Sequence, residues 1–516
     1  MNALQAMKMQ LNVARTENGD LAYKSTGSAC LDFFSLCGGM RRNLESLDKL
    51  FAEAYAENPV VAIKILFYMR NIRGGLGERN SFRVLLKELA KFYPEMAKQI
   101  VYAVPEYGRW DDLLVLLDTP IKDDAIALIK SQIEKDKEAM EKGKDPSTGS
   151  GTVSLLGKWL PSINTSSKES VASAKIIMAA LGMKAVEYRK LCSALRKEIK
   201  ILEDNLRRKD YTFDYSKQPS QAMLRYKKAF MRNDEERYKS FLHKVVEQAE
   251  KLARGEEIPE EERVKLNTKT LYPYQIVGPF MKYGINQMDE GQVLSLEASW
   301  KALDRGNFDS KTIVVRDGSG SMYRGDGESA PISIATSLAL FFAEQLTGPY
   351  KNSFITFSEN PQLIQIPENC DTLKKKLNYI HKFDEVANTD IGKVYRLILD
   401  VAKSSNVPKE EMIERVLIIS DMEFDYCTEG VSTFEFYKKE FEAAGYELPE
   451  IVFWNVEARD THLPVTMNEK GVKLVSGASA NIFADVVSGD LKVVTPYEFM
   501  LQILEPYAEF DTVSVA

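Results

Sequence analysis

Apolar residues recur with a helical period over roughly the first 300 residues of the chain. In the segment from Phe82 to Leu89, Asn80 or Ser81 can cap a helix and Pro94 stops it. The same period predicts helices over residues 111–117, 121–135, 170–181 and 188–206. Because these helices are short and closely connected, and no strand pattern of similar quality accompanies them, we predict an all-α region of stacked antiparallel helix pairs.

From residue 308 onward, short apolar runs alternate with helical patterns. The runs predict strands over residues 312–315, 353–357, 363–366, 415–419, 451–456 and 472–475. A helix that is apolar on nearly all sides is predicted from Pro331 to Gly348, and further helices begin near residues 391 and 433. This alternation predicts a doubly wound α/β domain with parallel strands.

The change of period divides the chain into two predicted domains, residues 1–305 and residues 306–516. A chain of 516 residues is long enough for such a multidomain arrangement. Residues 142–151 are predicted to form a flexible loop, and the charged run at residues 254–263 is predicted to be a second exposed segment.

The composition is that of an ordinary globular protein, with 44% hydrophobic residues. No basic and apolar signal segment opens the chain, and no run approaches the roughly 18 apolar residues that a membrane span needs. We therefore expect a cytoplasmic protein with no membrane partner. The five cysteines are scattered and odd in number, which predicts reduced thiols and neither disulfides nor a zinc knuckle.

The net charge of −7 hides an asymmetry between the two parts of the chain. Residues 1–300 carry 47 Lys and Arg against 41 Asp and Glu, whereas the remaining residues carry 21 against 34. The excess of positive charge is concentrated in residues 151–250. A basic stretch in one domain beside an acidic second domain favours nucleic-acid contact through the first, although surface lysines often only solvate a helix.

A candidate metal site follows the first predicted strand. Asp317, Ser319 and Ser321 place a carboxylate and two hydroxyls at alternate positions in a glycine-rich loop, where they can converge on one hard cation. Alone, this pattern is more typical of a solvated turn, because Asp, Ser and Gly are common turn residues. Two later segments favour the metal site: residues 388–390 (NTD), which open a helix, and residues 415–421, a buried strand that ends on Asp421.

Taken in order, these segments resemble the von Willebrand factor A domain and its metal-ion-dependent adhesion site. The resemblance implies that the cation is held by Asp317, Ser319, Ser321, Thr389 and Asp421. All five offer oxygen, which suits Mg²⁺, with Mn²⁺ or Ca²⁺ as alternatives, and argues against zinc or copper. The resemblance also implies an open coordination position for an acidic oxygen of a protein partner.

Several segments of the helical part resemble the TROVE module of the Ro ribonucleoprotein family. They are residues 70–79 (RNIRGGLGER), 105–113 (PEYGRWDDL), 158–162 (KWLPS), 188–197 (YRKLCSALRK) and 219–230. The resemblance implies a HEAT-like helical-repeat ring or solenoid that binds small structured RNA or single-stranded RNA ends, and it brings no catalytic activity. The implied RNA contacts are Arg70, Arg73, Arg79, Arg109, Lys158, Arg189, Lys190, Arg196, Lys197, Lys227 and Lys228.

Some of these basic residues also fit purely structural roles. Arg109 precedes Trp110 and two aspartates, a pattern equally typical of a helix start with a buried Trp. Residues 74–75 (GG) fit a tight turn. The stretch from Arg189 to Lys197 has the strongest case for RNA, because Glu198 alone cannot balance its four cations.

Catalysis is not expected. His243, His381 and His462 stand in no nucleophile or metal motif. Glu423 and Asp425 would share a strand face with Asp421, but no neighbouring residues in the sequence supply ligands for a second metal.

Two main hypotheses follow. The first is an RNA-binding scaffold whose A domain recruits a protein partner through a divalent cation. The second is a protein-binding adaptor with no RNA ligand, in which the basic stretch contacts only the acidic domain. A further alternative is a metal-gated switch in which the A domain rearranges on ligand binding.

Overall fold

The computed structural model describes residues 10–142, 152–308, 311–325, 327–357, 360–384, 390–425, 433–487 and 494–514. The chain forms two compact units, each built from separate stretches of sequence. The first unit comprises Met1–Ile65, Gly74–Leu76 and Asp214–Pro506, and the second comprises Leu66–Arg73, Gly77–Phe213 and Tyr507–Ala516. The predicted loop at residues 143–151 lies outside the described part of the chain.

The described residues up to 305 are mostly helical, as predicted, and they include one short hairpin near residue 15. The hairpin consists of β1 (Val13–Arg15) and β2 (Leu21–Tyr23), which pair antiparallel. The helices are α1 (Ala29–Leu36), α2 (Leu44–Glu57), α3 (Pro59–Arg70), α4 (Arg79–Phe92), α5 (Pro94–Ile100), α6 (Val104–Tyr107), α7 (Lys122–Lys142), α8 (Leu156–Trp159), α9 (Lys168–Ala180), α10 (Ala185–Glu198), α11 (Leu202–Arg208), α12 (Ser220–Asn233), α13 (Glu235–Ala253), α14 (Pro273–Tyr283) and α15 (Glu290–Lys301). Among the described residues, no helix is both long and apolar enough to cross a membrane.

Two of the predicted helices differ from the structure in a way that local chemistry explains. Residues 188–206 do not form one helix, because Lys200 has a φ of 47° and separates α10 from α11. Residues 111–117 correspond to a 3₁₀ helix at Trp110–Leu116. Asp112 accepts a hydrogen bond from the Arg109 N–H at 3.0 Å, so this segment is the helix start that the sequence allowed.

A buried ion pair holds the second unit together at this helix start. Arg70 is 1% exposed, and its Nε and Nη2 lie 2.8 and 2.7 Å from one carboxylate oxygen of Asp112. Arg83 donates to the other oxygen at 2.6 Å. Gly108 packs directly against this pair, and a Cβ at that position would meet the Asp112 carboxylate at 2.4 Å. Both oxygens of the Asp112 carboxylate therefore have basic partners, and no residue larger than glycine fits at position 108.

The α/β domain contains a six-stranded sheet. Its elements are β3 (Thr312–Asp317), α16 (Pro331–Gln345), β4 (Ser353–Phe357), β5 (Leu363–Gln365), α17 (Leu373–Ile380), α18 (Ile391–Ser404), β6 (Arg415–Ser420), α19 (Thr433–Ala443), β7 (Glu450–Asn455), β8 (Val472–Ser476), α20 (Phe483–Val487) and α21 (Pro496–Leu504). The strand order is β5-β4-β3-β6-β7-β8. The α/β architecture is confirmed, but the prediction of an all-parallel sheet was wrong, because β5 pairs antiparallel with β4. Too few residues separate these two strands for a parallel crossover.

The core of this domain is apolar, and a cluster of charged side chains lies at one end of it. Phe342 of α16 stacks on Phe483 at 3.9 Å between ring centroids and contacts the fully buried Trp454 of β7 at 5.0 Å. At the start of β6, the buried Arg415 pairs with Glu450, which also lies 2.9 Å from Lys473 of β8. Because buried charges are tolerated only when they are paired, this cluster requires the three strands to keep their register.

The first unit also includes the N-terminal helices, which pack on the sheet. Helix α1 contacts β8, and the Gly38 N–H donates to Ser476 Oγ at 3.0 Å. A Cβ on Gly38 would lie 2.7 Å from the Ser476 backbone, so only glycine allows this approach. The bounds of the compact units therefore do not coincide with the change from helical to α/β structure near residue 305. The domain boundary between residues 305 and 306 stays a prediction.

We expect the Asp112→Ala substitution to lower the free energy of unfolding by about 3–5 kcal/mol, because it leaves Arg70 buried without its counter-charge. Urea unfolding followed by circular dichroism measures the loss. The matched control is Asp118→Ala, which breaks the more exposed Lys87–Asp118 pair and should cost less than about 1 kcal/mol. If both variants lost the same free energy of unfolding, burial would not be the reason for the effect of Asp112.

Candidate metal centre and basic surface

The sheet brings the two predicted metal-site aspartates to the same edge, which is the one formed by the carboxyl ends of the parallel strands. Strands β3 and β6 are parallel neighbours, with Arg316 opposite Ile419, so both strands end at the same side of the sheet. Asp317 is the last residue of β3, and Asp421 directly follows β6. Both are buried, with Asp317 0% and Asp421 3% exposed. The edge that holds them is the one where open parallel sheets bind ligands.

The loop after β3 gathers the two predicted serines beside Asp317. The Ser319 N–H donates to Asp317 Oδ1 at 2.8 Å, and Ser319 Oγ lies 3.1 Å from Ser321 Oγ. A 3₁₀ helix at Gly320–Tyr323 fixes the direction of the second serine. Two hydroxyls and one carboxylate thus face each other, as the sequence predicted.

Ser420 is a residue of this site that the sequence analysis missed. Its Oγ donates to Asp317 Oδ2 at 2.5 Å and accepts a hydrogen bond from the Met422 N–H at 3.0 Å. Met422 has a φ of 64°, an unfavourable conformation for a side-chain-bearing residue, so the chain is strained just past Asp421. Only the strand pairing shows that Ser420 reaches across to Asp317.

The residues that are present fit a divalent cation. Burial, and after it the nearby charge of Asp421, raise the pKa of Asp317 well above its usual range, because both disfavour the charged form of this carboxyl. Among the described residues, no basic side chain forms an ion pair with Asp317. A cation held by the carboxylates and serine hydroxyls would supply the missing positive charge. Thr389 lies outside the described residues, and Asp390 next to it caps α18 by accepting from the Lys393 N–H.

Arg459 is a second residue that the sequence analysis missed. Its Nη2 donates to Asp421 Oδ2 at 3.0 Å, and its other terminal nitrogen pairs with Glu17. The Asn43 side chain donates to the Arg459 carbonyl at 3.0 Å and holds the backbone in place. The predicted cation site is therefore bordered by a fixed guanidinium.

The fold also brings together three side chains of metal-binding type that the sequence does not connect. Ligand atoms of Glu423, Asp460 and His462 lie within 4.8 Å of one another, which corrects the expectation that nothing lies near Glu423. Glu423 already accepts from the Glu17 N–H at 2.7 Å, and the charge of Arg459 acts on it. Because these partners already satisfy Glu423, we assign no ion to this group.

About half of the predicted RNA contacts make internal interactions instead. Arg70 is buried against Asp112, and Arg109 pairs with Asp111 while its guanidinium lies 3.9 Å from the Trp159 ring centroid. Arg196 donates to the Gly157 and Leu160 carbonyls at 3.0 and 2.8 Å. Lys158 pairs with Glu203, and burial lowers the pKa of Lys227. These side chains position helices, so their charge is not available at the surface in the way that a phosphate contact requires.

The remaining predicted contacts are exposed. In the second unit, α10 presents Arg189, Lys190 and Lys197 to solvent, and Arg73 and Arg79 are exposed before and at the start of α4. Lys228 is exposed in the first unit. Of the stretch from Arg189 to Lys197, three of the four cations are therefore available to a ligand.

Comparison with known proteins places the chain in a family. The model of a domain of unknown function, DUF2828, matches residues 16–131 and 124–305, which together exceed half of the chain. The chain belongs to the DUF2828 family. The model of a second domain of unknown function, DUF7788, matches residues 311–493. One relative is Uncharacterized protein L728 of Acanthamoeba polyphaga mimivirus. The two sequences are 31% identical over an alignment 533 positions long, which covers 96% of this chain and 88% of that protein.

Among solved structures, the chain is similar to the crystal structure of the Deinococcus radiodurans RO (RSR) protein. The identity is 15% and the TM-score is 0.43, with 88% of this chain and 93% of that chain covered. A likeness at this TM-score supports no argument about function. The resemblances to the TROVE module and to the von Willebrand factor A domain therefore stay predictions for this DUF2828 family member.

We expect the wild-type protein to bind Mn²⁺ and to gain thermal stability from it, because the cation compensates buried carboxylates. Asp317→Ala should weaken Mn²⁺ binding by about tenfold or more, since it removes a candidate ligand. Isothermal titration calorimetry and the melting temperature with and without Mn²⁺ measure both effects. Asp460→Ala is the control and should bind as the wild type does; a loss in this variant alone would instead place the ion at Glu423, Asp460 and His462.

Proposed function

We propose that the protein is a non-catalytic binding scaffold whose α/β domain captures a protein partner through a divalent cation. Mg²⁺ is the favoured ion, and Mn²⁺ or Ca²⁺ can take its place because all candidate ligands offer oxygen. The observation that carries the proposal is the meeting of Asp317, Ser319, Ser321 and Asp421 at one sheet edge, where Asp317 is buried and forms no ion pair with any described side chain.

The charges around this edge favour an acidic partner. The cation would add positive charge to that of Arg459, whose side chain is 17% exposed and borders Asp421. A carboxylate that approaches this edge would meet both charges. The candidate ligands are carboxylates and hydroxyls with no histidine among them, so the site offers oxygen ligands for a cation and no histidine base to activate a hydroxyl.

Affinity capture tests the partner hypothesis. Immobilised wild-type protein in Mg²⁺ should retain proteins from a cell extract that are lost in EDTA and lost with the Asp317→Ala, Ser319→Ala double variant, because both treatments remove the cation. Quantitative mass spectrometry measures the retained proteins, with the Asp460→Ala protein as the matched control. If no protein depends on both the cation and the two residues, metal-dependent recruitment is wrong.

A second candidate function is RNA binding by the helical region. The observation that favours it is the exposed row of Arg189, Lys190 and Lys197 on α10, in the part of the sequence where positive charge is in excess. Exposed cations on one helix can neutralise phosphates and release counterions. The protein would then be an RNA-binding scaffold with two separate sites, and without RNA affinity it is a protein-binding adaptor.

We expect the triple substitution Arg189→Glu, Lys190→Glu, Lys197→Glu to weaken single-stranded RNA binding by about tenfold or more and to reduce the salt slope by about 2, since each phosphate contact contributes about 0.7. Fluorescence anisotropy at several salt concentrations measures both changes. The matched control reverses the exposed Lys403, Lys439 and Lys470 of the α/β domain, which changes the net charge equally. Equal losses in both variants would mean that only net charge matters, and RNA binding that neither variant changes would remove α10 from the site.

A further inference from the structure

The N-terminal hairpin has a tip that is shaped by its own hydrogen bonds. Between β1 and β2, the Gly19 N–H donates to the Thr16 carbonyl and the Asp20 N–H donates to Thr16 Oγ, each at 3.0 Å. Gly19 has a φ of 95°, which suits the turn. We call residues 16–20 the hairpin tip. Both of these hydrogen bonds lie within the tip itself.

The hairpin tip lies on the chain segment that follows Asp421. Thr16 Oγ1 donates to the Phe424 carbonyl at 2.5 Å, and the Asn18 side chain donates to the Glu423 carbonyl at 2.7 Å. Gly19 forms an isolated antiparallel bridge with Asp425. The tip therefore occupies the backbone carbonyls of Glu423 and Phe424 with side-chain donors, and it makes one strand-like bridge at Asp425.

The same tip places an acidic side chain beside the candidate metal site. Glu17 pairs with Arg459, and Arg459 pairs in turn with Asp421. The Glu17 side chain is 41% exposed, so this ion pair is open to solvent and to competition. A carboxylate from the chain itself thus already holds the guanidinium that would meet a partner's acidic group.

The rest of the hairpin is anchored independently of Glu17. Tyr23 and Leu463 exchange two backbone hydrogen bonds at 2.9 Å, and Ala22 is 2% exposed. Thr433 Oγ1 donates to the Asp20 carboxylate at 3.2 Å. Because these contacts lie at or beyond the end of the tip, the tip can leave residues 423–425 while β2 stays in place.

We propose that the hairpin tip is an internal occupant of the partner-binding edge, and that an extended partner segment with an acidic residue displaces it by pairing with Arg459 and with the backbone of residues 423–425. The proposal rests on the proposed function, because it names the partner's chemistry and a regulation of that same site. Capture of the partner is then limited by competition with Glu17, and release of the tip reports that the site is filled.

A labelled peptide with the sequence of residues 13–23 is the probe, added to the full-length protein. We expect it to bind the Glu17→Ala protein about two- to fivefold more tightly than the wild type, since an exposed ion pair no longer competes. The matched control Glu45→Ala removes an exposed glutamate from α2 and should bind as the wild type does. A peptide with Gln in place of Glu17 should bind more weakly to every protein that keeps Arg459, and Arg459→Ala should remove the difference between the two peptides.

Hydrogen–deuterium exchange gives a second readout. In the wild type, the probe should raise exchange at the Glu17 N–H, because displacement of the tip breaks its hydrogen bond to Glu423 Oε2. Glu17→Gln, which keeps the side-chain shape, should show the same change at lower probe concentration. Equal affinity for the wild-type and Glu17→Ala proteins, equal binding of the two peptides, or no binding to any variant would overturn the proposal and leave the tip as a structural contact.

The failure of this inference is distinguishable from the failure of the proposed function. If Mn²⁺ binds through Asp317 but the peptides do not discriminate between the proteins, only the displacement by the acidic segment is wrong. If no cation binds, metal-dependent recruitment is wrong, while a difference between the peptides in EDTA would still show that Arg459 and residues 423–425 accept an acidic segment.

Discussion

The buried carboxylate of Asp317 is the constraint on which the proposed site depends. A carboxylate that is 0% exposed must find hydrogen-bond donors and a counter-charge, or it must stay protonated. The donors are present in the Ser319 N–H and the Ser420 hydroxyl. No basic side chain among the described residues supplies a counter-charge. A divalent cation is therefore the simplest completion of this edge of the sheet.

Arg459 links this edge to the beginning of the chain. It pairs with Asp421 on one side and with Glu17 on the other, so residues more than 400 positions apart in sequence share one guanidinium. The hairpin and the sheet belong to the same unit, and the Tyr23–Leu463 backbone hydrogen bonds join them as well. The internal partner of Arg459, Glu17, is exposed enough to be replaced by another acidic group.

The basic residues of the helical region show how burial separates structural from available charge. Arg196 lies on the same helix as Lys190, and Arg70 belongs to another arginine-rich segment, yet Arg70 pairs with a buried carboxylate and Arg196 donates to backbone carbonyls inside the second unit. Charge that is already paired in this way adds nothing to a surface potential. The case for RNA therefore concentrates on the exposed cations of α10, and it is independent of the metal site.

The sequence by itself determined the two kinds of architecture and most of the candidate site, because helical periods, buried strand runs and an Asp-x-Ser-x-Ser loop are local signals. It also predicted Asp317, Ser319, Ser321 and Asp421 as metal ligands, which stays a prediction, and the fold brings these four residues to one edge of the sheet. Only the tertiary structure decided that β5 runs antiparallel, that Ser420 reaches Asp317, and that Arg459 and Glu17 border the site. These depend on strand pairing and on contacts between distant segments, for which neighbouring residues carry no pattern.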